Sequence, residues 1–161
     1  GEDSQEGDVV FEDVEEDADT DLFSSGENEG TTSYDAGNGI TATLVNGVFT
    51  VSGSGAMKDF ADSKSAPWKD DVGQISTIII SPGITRVGDY SFIECGSLRE
   101  ISLPEGFVSI GEAAFYNAYN LHSVTLPQSL QVIGTAAFAD CINLETLNMG
   151  SQVREVGEYA F

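Results

Sequence analysis

The residues able to do chemistry are few, and their spacing works against them. Asp17-x-Asp19-x-Asp21 has the alternating carboxylates that open an EF-hand calcium loop. The match then breaks, because Leu22 stands where the turn needs Gly and Asn28 stands where a bidentate Glu should close the shell. His122 is the only histidine, so a zinc site with two imidazoles cannot be assembled. The same scarcity argues against a Ser-His-Asp or Cys-His nucleophile arrangement. No glycine-rich phosphate loop appears. These residues predict neither an enzyme nor a metal, and no cofactor is expected.

Charge narrows the partners. The 161 residues carry 27 acids against 6 bases, and such an excess repels nucleic acid and anionic membrane surfaces. Residues 1–35 hold 14 of the acids and no Lys or Arg, whereas the stretch from Lys58 onward holds 13 acids and all 6 bases. The extreme acidity therefore belongs to an N-terminal segment, 1–36, that is expected to be a disordered tail or tether, because dense like charge with little apolar surface cannot offset the entropy of ordering. No run approaches the roughly 18 apolar residues of a membrane span, so direct insertion into a membrane is not expected. No signal peptide is present, and Gly1-Glu2-Asp3-Ser4 suggests a start after a removed export signal.

From Ile40 the texture becomes that of a scaffold. Two alternating runs, Ile40–Val45 and Val48–Val51, flank Asn46-Gly47, the dipeptide suited to a type I′ hairpin turn. Pro67-Trp68 follows, with a helical turn expected near Trp68–Val72 and Trp68 expected as a hydrophobic plug. Residues 37–74 are thus read as a capping hairpin and its connection, and 75–161 as a repeat array. Within that array Val87-Gly88, Ile110-Gly111, Ile133-Gly134 and Val156-Gly157 recur every 23 residues. Phe92, Phe115, Phe138 and Phe161 follow at one offset, each after a small residue. The strand columns are Ile75/Ile78/Ile80, Leu98/Ile101/Leu103, Leu121/Val124/Leu126 and Leu144/Leu147/Met149, with a further apolar column Ile84, Phe107, Leu130 and Val153.

A unit of this length falls in the leucine-rich-repeat range and cannot bury its apolar side alone, so units must stack around one core. The predicted fold is a mainly β, right-handed solenoid of 23-residue repeats with a parallel inner sheet, an N-terminal hairpin cap, and short helical or irregular turns. Pro104 and Pro127 end the inner strand in two coils. The repeated Gly column is expected to need positive φ or close backbone packing, and the four Phe rings are expected to stack as an internal ladder. Asn120 and Asn143, with Ser97 in their column, are expected to bond neighbouring coil backbones.

The units IGEAAFYNAYNLHSVTLPQSLQV and IGTAAFADCINLETLNMGSQVRE resemble the BspA-like, treponemal-type leucine-rich repeats of bacterial surface proteins. The upstream GNGITATLVNGVFTVSGSGAM and APW resemble the hairpin-and-Trp segment that precedes such repeats in secreted proteins of gut Firmicutes. The resemblance covers about residues 37–161. It implies export, attachment at the cell surface and, in some relatives, adhesion to host matrix proteins or other cells. It carries over no catalytic residue.

The register has consequences for every candidate site. Cys95 and Cys141 share a column two coils apart; with coils about 4.8 Å apart they lie roughly 10 Å from each other, beyond the ~7 Å Cα limit of a disulfide, so both are expected free and buried. Residues between the buried strand positions point outward. That face reads Thr77/Ile79, Glu100/Ser102, Ser123/Thr125 and Thr146/Asn148, with Arg99, His122 and Glu145 at its edge, and it suits a flat host or bacterial surface protein, or a glycan. Tyr116 and Tyr119 offer an aromatic alternative on the Phe-side loop. The chain stops six residues into a repeat, so either it continues naturally or two copies pack end to end as a homodimer. Two functions follow: a non-catalytic adhesion or recognition module, secreted or on the cell surface, or a structural spacer or capping domain with no ligand of its own.

Overall fold

The computed structural model describes residues 30–161. The Asp17–Asp21 carboxylates and most of the acidic 1–36 segment lie outside the described residues.

Asn46 and Gly47 take φ 49° and 82°, the paired left-handed conformation of a type I′ turn. This joins β2 (Ile40–Val45) to β3 (Val48–Ser52) in antiparallel register, from Thr41↔Ser52 to Val45↔Val48. A third strand precedes them. β1 (Thr31–Gly37) overlaps the 1–36 segment expected to be a tail, so the ordered fold begins earlier than residue 37. Charge density hid the reason: Ala36 is buried, and the Tyr34 ring packs 5.6 Å from Phe49 and 5.8 Å from Trp68. The Tyr34 hydroxyl donates to Asp71 Oδ2 at 2.7 Å. Burial first, then that carboxylate, pushes the phenol up to about 12.

β4 (Gly55–Ala56) and a 3₁₀ helix at Lys69–Gln74 complete the cap. Trp68 is fully buried as the plug, with its indole N–H donating to Ser91 O at 2.6 Å. Each coil then contributes two short strands. The first set is β5 (Thr77–Ile80), β7 (Glu100–Ser102), β9 (Ser123–Thr125) and β11 (Thr146–Asn148). The second set is β6 (Ile84–Val87), β8 (Ser109–Ile110), β10 (Val132–Ile133) and β12 (Glu155–Val156).

The second set forms a parallel sheet of its own, ordered β12-β10-β8-β6-β4. The repeat columns predict one parallel sheet; the Val/Ile-Gly column forms a second. Its register steps by the repeat length, with Ile110 paired to Val87 and to Ile133. Gly88, Gly111, Gly134 and Gly157 sit just beyond these strands without positive φ, so close packing is their reason. A Cβ on Gly134 would lie 2.7 Å from the Gly111 carbonyl carbon and 2.8 Å from Glu112 N. Left-handed φ falls instead two residues later, at Tyr90, Ala113, Ala136 and Tyr159, with φ between 52° and 60°. There the amide turns toward the next coil: Tyr90 N–H donates to Glu112 O and Ala113 N–H to Thr135 O. The rest of this side repeats the arrangement, Phe92 N–H to Ala114 O and Phe115 N–H to Ala137 O.

The core runs the length of the described chain as one cluster. Phe92, Phe115, Phe138 and Phe161 stack with centroids 5.6, 5.3 and 5.6 Å apart and planes within 12°. Trp68 continues the ladder onto Phe92 at 5.7 Å. Each fully buried ring removes enough apolar surface to stabilise the coil by about 1.5–3 kcal/mol. Stacking adjacent rings thus ties every coil to both neighbours.

Candidate functional site

The outward strand positions assemble as the alternation requires, because Ile78, Ile101 and Val124 point into the core and force their neighbours outward. Thr77 pairs with Glu100 and Ile79 with Ser102 across β5 and β7. Ser123 pairs with Thr146 and Thr125 with Asn148 across β9 and β11. Arg99, His122 and Glu145 stand exposed one residue before these strands. Apart from Ile79 the side chains are polar, and the ionic ones are of both signs.

The face is larger than the repeats alone suggest. β3 pairs parallel with β5, Val48 to Thr77 and Thr50 to Ile79, and so places Thr50 and its hairpin partner Thr43 beside the first coil. A hairpin serving as a separate cap leaves these threonines out of the face. The signal was present: Val48-Phe49-Thr50-Val51 alternates in phase with Thr77-Ile78-Ile79-Ile80, with Phe49 and Val51 buried like Ile78 and Ile80.

The face is not flat throughout. The strand sheet is ordered β1-β2-β3-β5-β7 and stops there, and β9-β11 form a separate pair. At the step between them lies a depression of about 340 Å³ lined by Glu100, Ile101, Ser102, Leu103, Ser123 and Thr125. The sequence columns give no warning of it, because β7 and β9 match the same pattern as their neighbours.

The other candidates resolve into structure. His122 is exposed, with Nδ1 2.9 Å from its own chain's Asn120 O. Asn120 and Asn143 Nδ2 donate to Gly96 O and Tyr119 O at 2.7 and 2.6 Å, the expected ladder to the preceding coil. Tyr119 is exposed, and its ring covers Gly96, where a side chain would collide with the phenol. Cys95 and Cys141 are free and buried. Burial pushes their thiols up to about 12 and about 11, away from the thiolate form that would make a nucleophile or ligand. Among the described residues no cluster of three or more His, Cys, Asp or Glu is placed to hold a metal ion. Among the described residues, the one charged network is a staple: Asp59 and Asp89 Oδ1 accept from Arg86 Nη2 at 3.1 and 2.9 Å, and Asp59 also accepts from the Asp89 N–H.

Among solved structures, the chain is similar to a leucine-rich repeat protein from Eubacterium ventriosum, with TM-score 0.64 and 24% identity over 78% of this chain and 40% of that one. A leucine-rich repeat protein from Bacteroides ovatus matches at TM-score 0.50 and 30% identity over 53% and 22% of the two chains. The T. pallidum leucine-rich repeat protein matches at TM-score 0.56 and 22% identity over 71% and 59%. The chain thus spans less than two thirds of the length of each of these proteins. No curated protein matches it. Residues 70–161 match the model of the BspA type leucine-rich repeat region in six copies. With more than half its length in that match and its coils stacked as the repeats demand, the chain belongs to the BspA-type leucine-rich-repeat family.

Proposed function

We propose that the chain is a non-catalytic recognition module carried on the outside of a bacterial cell, binding a surface protein or glycan through its first-strand face. The observation that carries this reading is the set of outward, mostly polar strand side chains, from Thr43, Thr50, Thr77 and Ser102 on one sheet to Ser123, Thr125, Thr146 and Asn148 on the next strand pair, held outward by a stacked core. Rigid elements hold such a row in place without the entropy cost of ordering loops on binding. Mixed charge and small side chains favour a flat partner, and the absence of aromatic anchors on the row favours modest affinity.

Arrays of glycans and matrix proteins test the proposal. Capture in the range of about 1–100 μM is expected. Ile79→Arg and Thr146→Arg, both at exposed positions, should each weaken capture by about tenfold or more. Thr135→Arg, placed on another side of the coil, should leave it unchanged. A folded protein that captures nothing, or binding indifferent to Ile79→Arg and Thr146→Arg, would return the chain to the role of a spacer within a larger surface protein.

A further inference from the structure

We infer that the step between β7 and β9 is a subsite for an N-acetylated amino sugar, an inference that rests on the strand face being the binding face. The first observation is a set of unmade backbone bonds. At the next junction the N–H groups of Glu145 and Thr146 both donate to His122 O, and Leu126 N–H donates to Asn148 O. One repeat earlier the corresponding bonds would run from His122 and Ser123 N–H to Arg99 O, and from Leu103 N–H to Thr125 O. None of these forms, whereas the preceding junction is closed by Arg99 N–H to Ser76 O and by the β5–β7 ladder. A parallel ladder interrupted at one junction leaves these backbone donors and acceptors unpaired with each other and open to solvent or to a ligand.

The second observation is where this gap lies. The depression of about 340 Å³ opens over the Leu103, Ser123 and Thr125 end of it, at the low end of the roughly 300–1,000 Å³ typical of small-molecule sites. Its lining has two characters. Ile101 and Leu103 are buried and half-buried, and give it apolar lining. Glu100, Ser102, Ser123 and Thr125 are exposed and give it a carboxylate and three hydroxyls. A secondary amide bearing a methyl group answers the interior: its N–H suits a free carbonyl, its C=O a free N–H, and its methyl the Leu103 surface. A ring with several hydroxyls answers the rim, where Glu100 accepts and the serine and threonine hydroxyls do either. An acetamido sugar combines both. An extended peptide offers the amide, yet a footprint of four residues on one side and two on the other gives it little else to hold.

The test is a nitrogen-edited NMR titration of the full chain with N-acetylglucosamine, glucose and the peptide mimic N-acetylglycine methylamide. Saturable shifts are expected at the Leu103, His122 and Ser123 amides with N-acetylglucosamine, with affinity about tenfold or more above that for glucose. Ser123→Arg, which lays a long side chain into the step, should abolish them while the remaining spectrum shows the fold retained. Equal response to glucose, tighter binding of the peptide mimic, or a titration unchanged in Ser123→Arg would overturn the subsite. Array capture lost in Ile79→Arg and Thr146→Arg while these three amides stay silent to the sugar would overturn the subsite and leave the strand-face reading standing.

Discussion

Removing one ring from the middle of the ladder measures how far the coils depend on one another. Phe115 is fully buried, with Phe92 at 5.6 Å on one side and Phe138 at 5.3 Å on the other. Phe115→Ala therefore loses the whole transfer term and leaves a cavity, about 3–5 kcal/mol, within which two stacked neighbours each account for about 0.5–1.5 kcal/mol. Phe161 stacks on one side only, at 5.6 Å, and is 50% exposed. Phe161→Ala forfeits about half as much surface and one stack, or about 1–2.5 kcal/mol. Urea denaturation at unchanged slope is the assay. With a slope near 2 kcal/mol/M, Phe115→Ala should lower the midpoint by about 1.5–2.5 M, and Phe161→Ala by about 0.5–1.25 M. Phe115→Leu, which keeps most of the volume, should cost about 1–2 kcal/mol. Equal midpoints for the two alanine variants, or a Phe115→Ala cost below about 1.5 kcal/mol, would refute the view that the ring ladder joins the coils.

The glycine column makes a second contrast: Gly134→Ala drives a methyl into the Gly111–Glu112 backbone and should cost about 1–3 kcal/mol or more, whereas Gly73, open on all sides at normal φ, should accept Ala within about 0.5 kcal/mol in the same urea assay. The buried thiols predict an alkaline limb. Because burial raises Cys95 from 9.0 to about 12, the stability it contributes is complete below pH 9 and is lost as pH rises toward the folded value. By pH 10.5 that loss is about 2 kcal/mol relative to Cys95→Ala, and parallel stability curves for the two proteins would remove the thiol from the account. At Asp59 burial opposes the charge, but the Asp89 N–H and the Arg86 guanidinium outweigh it and hold the carboxyl below its usual range. That contribution is present above the ordinary carboxylate range and is lost as pH falls, so Asp59→Asn should shrink the acid-side decline. The site is half exposed, so the change should stay under about 1 kcal/mol; an unaltered acid limb would show the staple to be inert.

Much of the fold was legible because stacking makes one physical demand repeatedly. A Phe at one offset in every unit can satisfy its burial only against the Phe of the next unit, so the ladder followed from the columns. The same logic placed Asn120 and Asn143 on neighbouring carbonyls and kept Cys95 from Cys141. What failed to show were elements with too few residues to carry a period. Strands such as Ser109–Ile110 and Val132–Ile133 are two residues long, so the second sheet left only a Val/Ile-Gly column whose φ was ambiguous. β1 was hidden for a different reason: Thr31–Gly37 abuts a strongly acidic run, and one buried Ala with one anchoring Tyr was too little to outweigh composition.

The site marks a deeper limit. Pattern decides which side of the sheet a residue faces, since a slip of one residue would turn Ile101 or Val124 out of the core. That is why Glu100, Ser102, Ser123 and Thr125 could be placed outward from sequence alone. Pattern does not decide whether two neighbouring strands close their ladder. That outcome depends on a balance between rungs whose hydrogen bonds are worth only about 0.5–1.5 kcal/mol each and the packing of the coils beneath them. β7 and β9 obey the same column rules as β9 and β11, yet one junction is shut and the other open. In a repeat protein the consensus positions therefore describe the scaffold, and recognition is to be sought where one repeat departs from its neighbours in a relation between coils. The gap at Leu103 and Ser123 is such a departure, and it coincides with the depression on the face that points to solvent.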